Sequence, residues 1–475
     1  MPARTLEELH EKILREGWNL STFREKWARM HPAKPPEELE PVTIQDSDIV
    51  LGCADGIFDR AHIHVLHTKK FSSGISAEVR TLPAIFLGAQ GAGKTALGKY
   101  IFAHNLGRRF KEPGLLYDTK GEMVAAKEPA YAERRYDAIR PAIDDYLKSI
   151  GMERRGDDVL TISPRSQGPQ PGVDKLFSIG WPDLAYLAAH NVDETVRLFL
   201  QLVGIDTSSR EASANYVDVM KHVMLRRDSI RKIADMYAVI AASAAALSLP
   251  ATGERLIRRI KTAVEERYLS DDPRNWIDVR KEMMDRAGTG YVAFRGRQSS
   301  SLSHSYVDMQ FYAEMMVIFT EVLYDTNDFQ RFRLPSAQLR SPAGTWIYVT
   351  ELPRLAPEKG DSYTRDFVRS FLTEARQAGV DFGGDAQAAS MVDSRFFEQF
   401  KYVFSARLTE SNAAVLRGKH LLEAVVKQLF DLPGPHKTSL GLEPSRWFVV
   451  DEDNDNEYII FDPNPMLSSH PSRLA

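Results

Sequence analysis

Gly88-x-x-x-x-Gly93-Lys94-Thr95 is the stretch whose residue types can do chemistry together. Glycines let backbone N–H groups turn inward onto phosphate oxygens, Lys94 reaches the β- and γ-phosphates, and the Thr95 hydroxyl is a ligand for Mg²⁺. Ala89, Gln90, Gly91 and Ala92 complete the loop, and Ala96 follows it. The apolar run 82–87 before it reads as a strand and residues 96–110 after it as a helix, whose positive end strengthens an anion site. This context distinguishes a nucleotide loop from an ordinary glycine-rich turn, so ATP and Mg²⁺ are the expected ligands.

Hydrolysis next requires an acid at a strand's carboxyl end. The apolar run 344–349 delivers Thr350 and Glu351, and Glu351 is expected to hold and polarise the attacking water. Leu115-Leu116-Tyr117 ends at Asp118-Thr119-Lys120-Gly121-Glu122, a charged cluster where open α/β sheets bind ligands; a polar turn is the bland reading. Val380-Asp381-Phe382 leads into Gly383-Gly384-Asp385-Ala386-Gln387, where Gln387 either senses a γ-phosphate or is merely solvated. Asp451-Glu452, after the run 447–450, competes with Glu351. The turn-rich Asp453-Asn454-Asp455-Asn456 and the run 458–461 make that segment a terminal β-hairpin instead.

The rest of the chain must position these groups. At 475 residues, 43% hydrophobic and 27% charged, it has the length and composition of one large domain with an insertion, or of two or three domains. A net charge of −4 gives no global basic footprint, so a nucleic acid would be held by local patches or a lined channel. Cys53 alone supports neither a disulfide framework nor a zinc spacing, which suits a reducing compartment. The apolar stretch 236–249 is shorter than the roughly 18 residues of a membrane span. No signal peptide is apparent, and a cytoplasmic location is expected.

Four segments follow. Residues 1–41 read as a helical arm, and 42–180 as the first part of an ATPase domain with a small β element. Residues 181–335 read as an inserted all-α domain, and 336–475 as the second part with its hairpin. His62 and His64 share a strand face without nearby Cys or carboxylate partners, and read as solvated rather than as a metal site. Basic clusters at Arg226, Arg227, Arg231, Lys232 and at Arg255, Arg258, Arg259, Lys261 are interleaved with acids. The default is a solvated helix face and the alternative a DNA-facing surface.

The order of pieces over residues 80–410 resembles the HerA/FtsK superfamily of ring-forming DNA motors, and within it the type IV secretion coupling proteins of the TraG/TraD kind. The phosphate loop, Asp118-Thr119-Lys120-Gly121-Glu122, the helical insertion, and Ala375-Arg376-Gln377-Ala378-Gly379 leading to Ala386-Gln387 carry the resemblance. It implies a RecA-like α/β core that hydrolyses ATP and moves DNA, assembled as a homo-oligomer, a hexameric ring in the manner of that family, with protein partners of a transfer or packaging machine. It further implies that Lys94 and Thr95 bind phosphate and Mg²⁺, that Asp118 and Lys120 lie at the nucleotide, and that Glu351 activates water. Gln387 then couples the γ-phosphate to movement, and Arg376 or Arg407 serves a neighbouring subunit as its finger. The chain departs from the pattern in three places. Thr350 replaces the aspartate expected before Glu351, so that Thr95 is expected to face a group without charge; Thr119 replaces a proline; and the membrane helices of coupling proteins are not seen. A nucleotide-binding scaffold and a protein-remodelling or export ATPase are the rival readings.

Overall fold

The structure is a computed structural model. It describes residues 44, 48–53, 63–67, 70–73, 77–80, 82–295 (without 119, 120, 138, 139, 191, 206, 208 and 209), 345–354, 380–406 (without 398), 409, 412, 413, 447–451, 457–464 and 466–469. The arm expected over 1–41, Lys120, Arg376 and Arg407, and a helix expected over 309–324, lie outside these residues.

Short apolar runs separated by helices build a parallel sheet buried on both faces. Its strands are β5 (Ala84–Leu87), β6 (Gly114–Asp118), β7 (Asp158–Pro164), β8 (Lys175–Phe177), β9 (Gly290–Arg295), β10 (Thr345–Val349), β11 (Val380–Ala386) and β12 (Tyr402–Ser405). Antiparallel strands extend it: β1 (Asp48–Cys53), β2 (Ile63–His67), β13 (Trp447–Asp451) and β14 (Glu457–Pro463). A separate hairpin joins β3 (Lys70–Ser73) to β4 (Ala77–Arg80). The order across the large sheet is β2-β1-β14-β13-β12-β5-β11-β10-β6-β9-β7-β8. Every neighbouring pair from β12 to β8 is parallel. Every pair from β12 out to β2 is antiparallel. The strand that leads into the phosphate loop is separated by one strand, β11, from β10, which leads into Thr350 and Glu351. The order β12-β5-β11-β10-β6 is that of a RecA-like core.

Alternation along each strand divides the apolar residues between two cores. Ile85, Leu87, Ile347, Val349 and Phe382 face one. Ala84, Phe86, Trp346, Tyr348 and Phe404 face the other, against Tyr100, Phe102 and Leu106 of the helix after the loop. That helix, α1, spans Lys94–Lys99 and continues with a wider π-type turn through Tyr100–Arg109. Phe86 stacks on Phe404 with centroids 4.7 Å apart, and Phe102 lies 5.3 Å from Tyr348.

Two expectations need correction here. The segment 181–335 is not helical throughout, because Gly290–Arg295 is a strand, buried between β6 and β7. A short apolar run such as Tyr291–Phe294 fits a buried helix turn as well as a buried strand, and periodicity does not choose between them. Likewise β11 does not stop at Phe382: it runs through Gly383, Gly384 and Asp385 to Ala386, and all its residues are buried. Glycines usually weaken a strand, but here neighbours require them. A Cβ at Gly383 would lie 2.4 Å from the Phe102 ring, and one at Gly384 would lie 3.1 Å from Leu352.

The helical segment has a core of its own. After α2 (Arg140–Ser149) come α3 (Trp181–His190), α4 (Val192–Leu202), α5 (Arg210–Met224), α6 (Met236–Ala246) and α7 (Pro250–Glu265). Phe199, Val219, Met220, Ile240, Leu256 and Ile260 are among the side chains they bury together. On α7, Gly253, Leu256, Ile260 and Ala263 face inward at helical spacing. Arg255, Arg258 and Arg259 are exposed.

Behind α1 lies a buried charge cluster. Asp157, just before β7, meets Lys99 at 3.6 Å and His104 at 3.7 Å, and pairs with Arg108. The Ser468 hydroxyl donates to the same carboxylate, and Lys99 Nζ donates to the Ser469 carbonyl at 2.9 Å. Burial lowers the His104 ring to about 4 against the pull of Asp157, so it is neutral near pH 7. Burial likewise lowers Lys99 to about 8, with Asp157 resisting. Burial by itself would raise the Asp157 carboxyl, but His104, Lys99 and Arg108 outweigh it and hold the group well below the ordinary range.

Candidate nucleotide site

The loop from Gly88 to Thr95 leaves the carboxyl end of β5, with Gly91 and Gly93 both at φ +84°. Side chains rarely adopt that backbone region, and glycine enters it freely. Ala89, Gln90, Gly91 and Gly93 are exposed, whereas Lys94 and Thr95 are buried at the start of α1. Lys94 Nζ donates to the Ala89 carbonyl at 2.9 Å, so the lysine arches over the loop it belongs to. Its charge, the glycine-shaped main chain and the start of α1 together suit a polyphosphate. The hydroxyl of Thr95 among nearby carboxylates is an all-oxygen set, which suits Mg²⁺.

Sheet register brings the other groups to the same edge. Leu87 pairs with Ala386 on one side and with Ser405 on the other. Gln387, exposed, therefore follows directly beside the loop, and the Gly88 N–H donates to the Ala386 carbonyl at 3.3 Å. Val349 pairs with Gly384, which places Thr350 and Glu351 one strand further along. Glu351 has φ +55°, a conformation that costs a non-glycine residue roughly 1–2 kcal/mol. The surroundings hold it there, since its N–H donates to Asp385 Oδ1 at 3.0 Å.

Thr350 is placed otherwise than expected. Its hydroxyl donates to the Tyr117 carbonyl at 2.9 Å, and its N–H donates to the same oxygen at 3.0 Å, which ties it to β6. Thr95 meets a carboxylate instead: its hydroxyl donates to Asp385 Oδ2 at 3.1 Å, and the Tyr348 hydroxyl donates to the same oxygen at 2.9 Å. Burial, then the charge of Asp385, raises the Tyr348 phenol well above its usual range, so it remains a donor. Asp385 is a site residue that the sequence does not single out. Its signal was a lone acid two residues before Gln387, obscured by Gly383-Gly384, which made the segment look like a loop.

Asp118, expected at the nucleotide, is 1% exposed and shapes its own turn. Its two oxygens accept from the Gly121 and Met123 N–H groups, each at 2.8 Å. Gly121 sits at φ +73°, with the Arg295 guanidinium packed where a Cβ would be. Asp451 belongs to the opposite edge. Antiparallel β13 sets it beside Tyr402, which pairs with Ala84 at the start of β5, so the hairpin acid lies at the opposite end of the strands from the loop. A cavity of about 580 Å³ lined by Arg165, Arg267, Asp271, Asp272 and Arg274 opens beyond the end of β7. It is separate from the loop, because β7 stands five places from β5 in the sheet.

No protein-family model and no curated protein matches the sequence. In fold the chain is similar to VirB4 of Thermoanaerobacter pseudethanolicus, at 15% identity and a TM-score of 0.49, covering 89% of this chain and 98% of that one. It is also similar to the genome packaging NTPase B204 of Sulfolobus turreted icosahedral virus 2 in complex with AMP. That match is at 8% identity and a TM-score of 0.33, covering 81% of this chain and 98% of the other. The RecA-like fold itself is read from the strand order.

Proposed function

We propose that the chain is an ATPase whose hydrolysis drives movement of DNA through an assembly of its own copies. The supporting observation is that β5, β11 and β10 stand side by side and parallel. The phosphate loop, Gln387 and Glu351 then share one edge of the sheet. Lys94 neutralises the phosphates, the loop N–H groups orient them, and Mg²⁺ supplies charge stabilisation when bound. Glu351 takes the proton of the attacking water, and Gln387, one strand from Lys94, reports the γ-phosphate to the rest of the fold. Arg376 or Arg407 acts as a finger from the neighbouring copy. Such a contact is head-to-tail and closes into a ring, for which a hexamer is our reading. The exposed Arg255, Arg258 and Arg259 on α7 offer phosphate contacts for DNA.

One observation favours a second reading: Thr350 stands where a metal-binding acid is expected and points to β6. It suits a nucleotide-binding assembly protein that does not hydrolyse. Steady-state ATP turnover, measured with and without single- and double-stranded DNA and beside a native mass measurement, decides between them. The motor reading expects turnover that DNA raises and salt suppresses. Turnover no higher than that of Lys94→Ala, under every condition, overturns it, and turnover indifferent to DNA points to protein work instead.

A further inference from the structure

The loop threonine, the strand-end glutamate and a buried tyrosine converge on one carboxylate that belongs to none of the expected motifs. Asp385 Oδ2 accepts from the Thr95 hydroxyl at 3.1 Å and from the Tyr348 hydroxyl at 2.9 Å, and Oδ1 accepts from the Glu351 N–H at 3.0 Å. Asp385 is 1% exposed. A buried carboxylate is costly unless hydrogen-bonded or paired, and these donors come from two sides, Thr95 at the start of α1 and Tyr348 and Glu351 on and just after β10. The elements are themselves shaped to permit it. Gly98 on α1 leaves room for the Tyr348 hydroxyl, where a Cβ would lie 2.1 Å away, and Gly383 and Gly384 bring β11 close under α1 and Leu352.

We propose that Asp385 is the metal-positioning carboxylate of this site, supplying from β11 the negative charge beside Thr95 that Thr350, just after β10, does not. This rests on reading the loop as a Mg²⁺–nucleotide site. A hard divalent ion prefers charged oxygen ligands, and a carboxylate next to the loop hydroxyl meets that preference directly or through the ion's water shell. The same carboxylate accepts the main-chain N–H of Glu351. Metal position and the direction of the water-activating group are therefore set by one residue. The missing acid is thereby moved by one strand, and the site keeps its charge.

The test measures affinity for a fluorescent ATP analogue in EDTA and across a Mg²⁺ titration, using wild type, Asp385→Asn and Thr350→Ala. In wild type, Mg²⁺ should tighten binding. In Asp385→Asn the affinity in EDTA should be retained, while the Mg²⁺ concentration needed for tightening rises by roughly tenfold or more. In Thr350→Ala the Mg²⁺ response should be that of wild type. An unchanged Mg²⁺ response in folded Asp385→Asn overturns the proposal and leaves Asp385 as a strut. Absence of nucleotide binding by wild type, with or without Mg²⁺, overturns the nucleotide reading itself and is a separate result. If Asp385→Asn does not fold, Fe²⁺-directed backbone cleavage of wild type in the presence of nucleotide takes its place. Cuts near both 95 and 385 support the assignment, and cuts near 95 without 385 overturn it.

Discussion

Glu351 and Asp451 show how much a residue's meaning depends on the direction of its strand. Both follow apolar runs, but Val349 pairs with Gly384 near the loop whereas Asp451 pairs with Tyr402 at the far edge. We expect Glu351→Gln to bind nucleotide as wild type and to lose turnover by roughly a hundredfold or more, as removal of a general base does. Asp451→Asn should retain turnover, and equal loss in the two variants would reverse the assignment. Tyr348→Phe removes one donor to Asp385 while keeping the ring. Hydrogen bonds to charged groups contribute roughly 1.5–3 kcal/mol, so a denaturant titration should show a loss of that order. The phosphate loop was legible in the sequence because its meaning is local: glycines, lysine and threonine act through neighbouring main chain. Asp385 was not, since its partners Thr95 and Tyr348 are distant in sequence and are brought together by strand order.

Helix α1 illustrates a conflict between propensity and packing. Alanine is favoured over glycine inside a helix by about 1 kcal/mol. At Gly98, however, a Cβ would lie 2.1 Å from the Tyr348 hydroxyl. Gly98→Ala should therefore lower the thermal midpoint and weaken nucleotide binding, and a raised midpoint would show that Tyr348 can move aside. For α7 the expected effect is on partners rather than on folding, because Arg255, Arg258 and Arg259 are exposed opposite its buried stripe. Changing all three to Ala should leave basal turnover intact and make DNA stimulation weaker and less salt-dependent. Unaltered stimulation would leave that face merely solvated. The apolar stripe of α7 was readable from spacing, whereas β9 was not, since its run is too short for periodicity to distinguish strand from helix.

Across the molecule, the cluster around Asp157 joins the back of α1 to the segment after β14. His104 titrates at about 4 in the fold, below its ordinary 6.5. The unfolded chain therefore takes up a proton first as pH falls through that window, and stability declines with it. Between about pH 7 and pH 4.5 this group should remove roughly 2 kcal/mol of unfolding free energy. His104→Gln should flatten that part of the profile, and an unchanged slope would assign the acid sensitivity elsewhere. The general architecture was legible: apolar runs alternating with helices imply a parallel sheet, and the late hairpin was visible in its turn residues. The way β14 links β13 to β1 was not, because pairing of Gly52 with Pro463 leaves no local trace.

The interleaved strand order also governs how the protein comes into being. β5 and its loop are complete once residue 95 is made, but the strands on either side of β5 are 380–386 and 402–405. At ordinary rates of synthesis the loop waits roughly 15–60 s for its neighbours. Throughout that time it is an apolar strand with two bare edges, and the loop lacks both strands, β11 and β12, that hold β5 in place. Chains released after residue 354 should consequently neither retain a labelled nucleotide nor resist protease, although they carry the entire phosphate-binding motif.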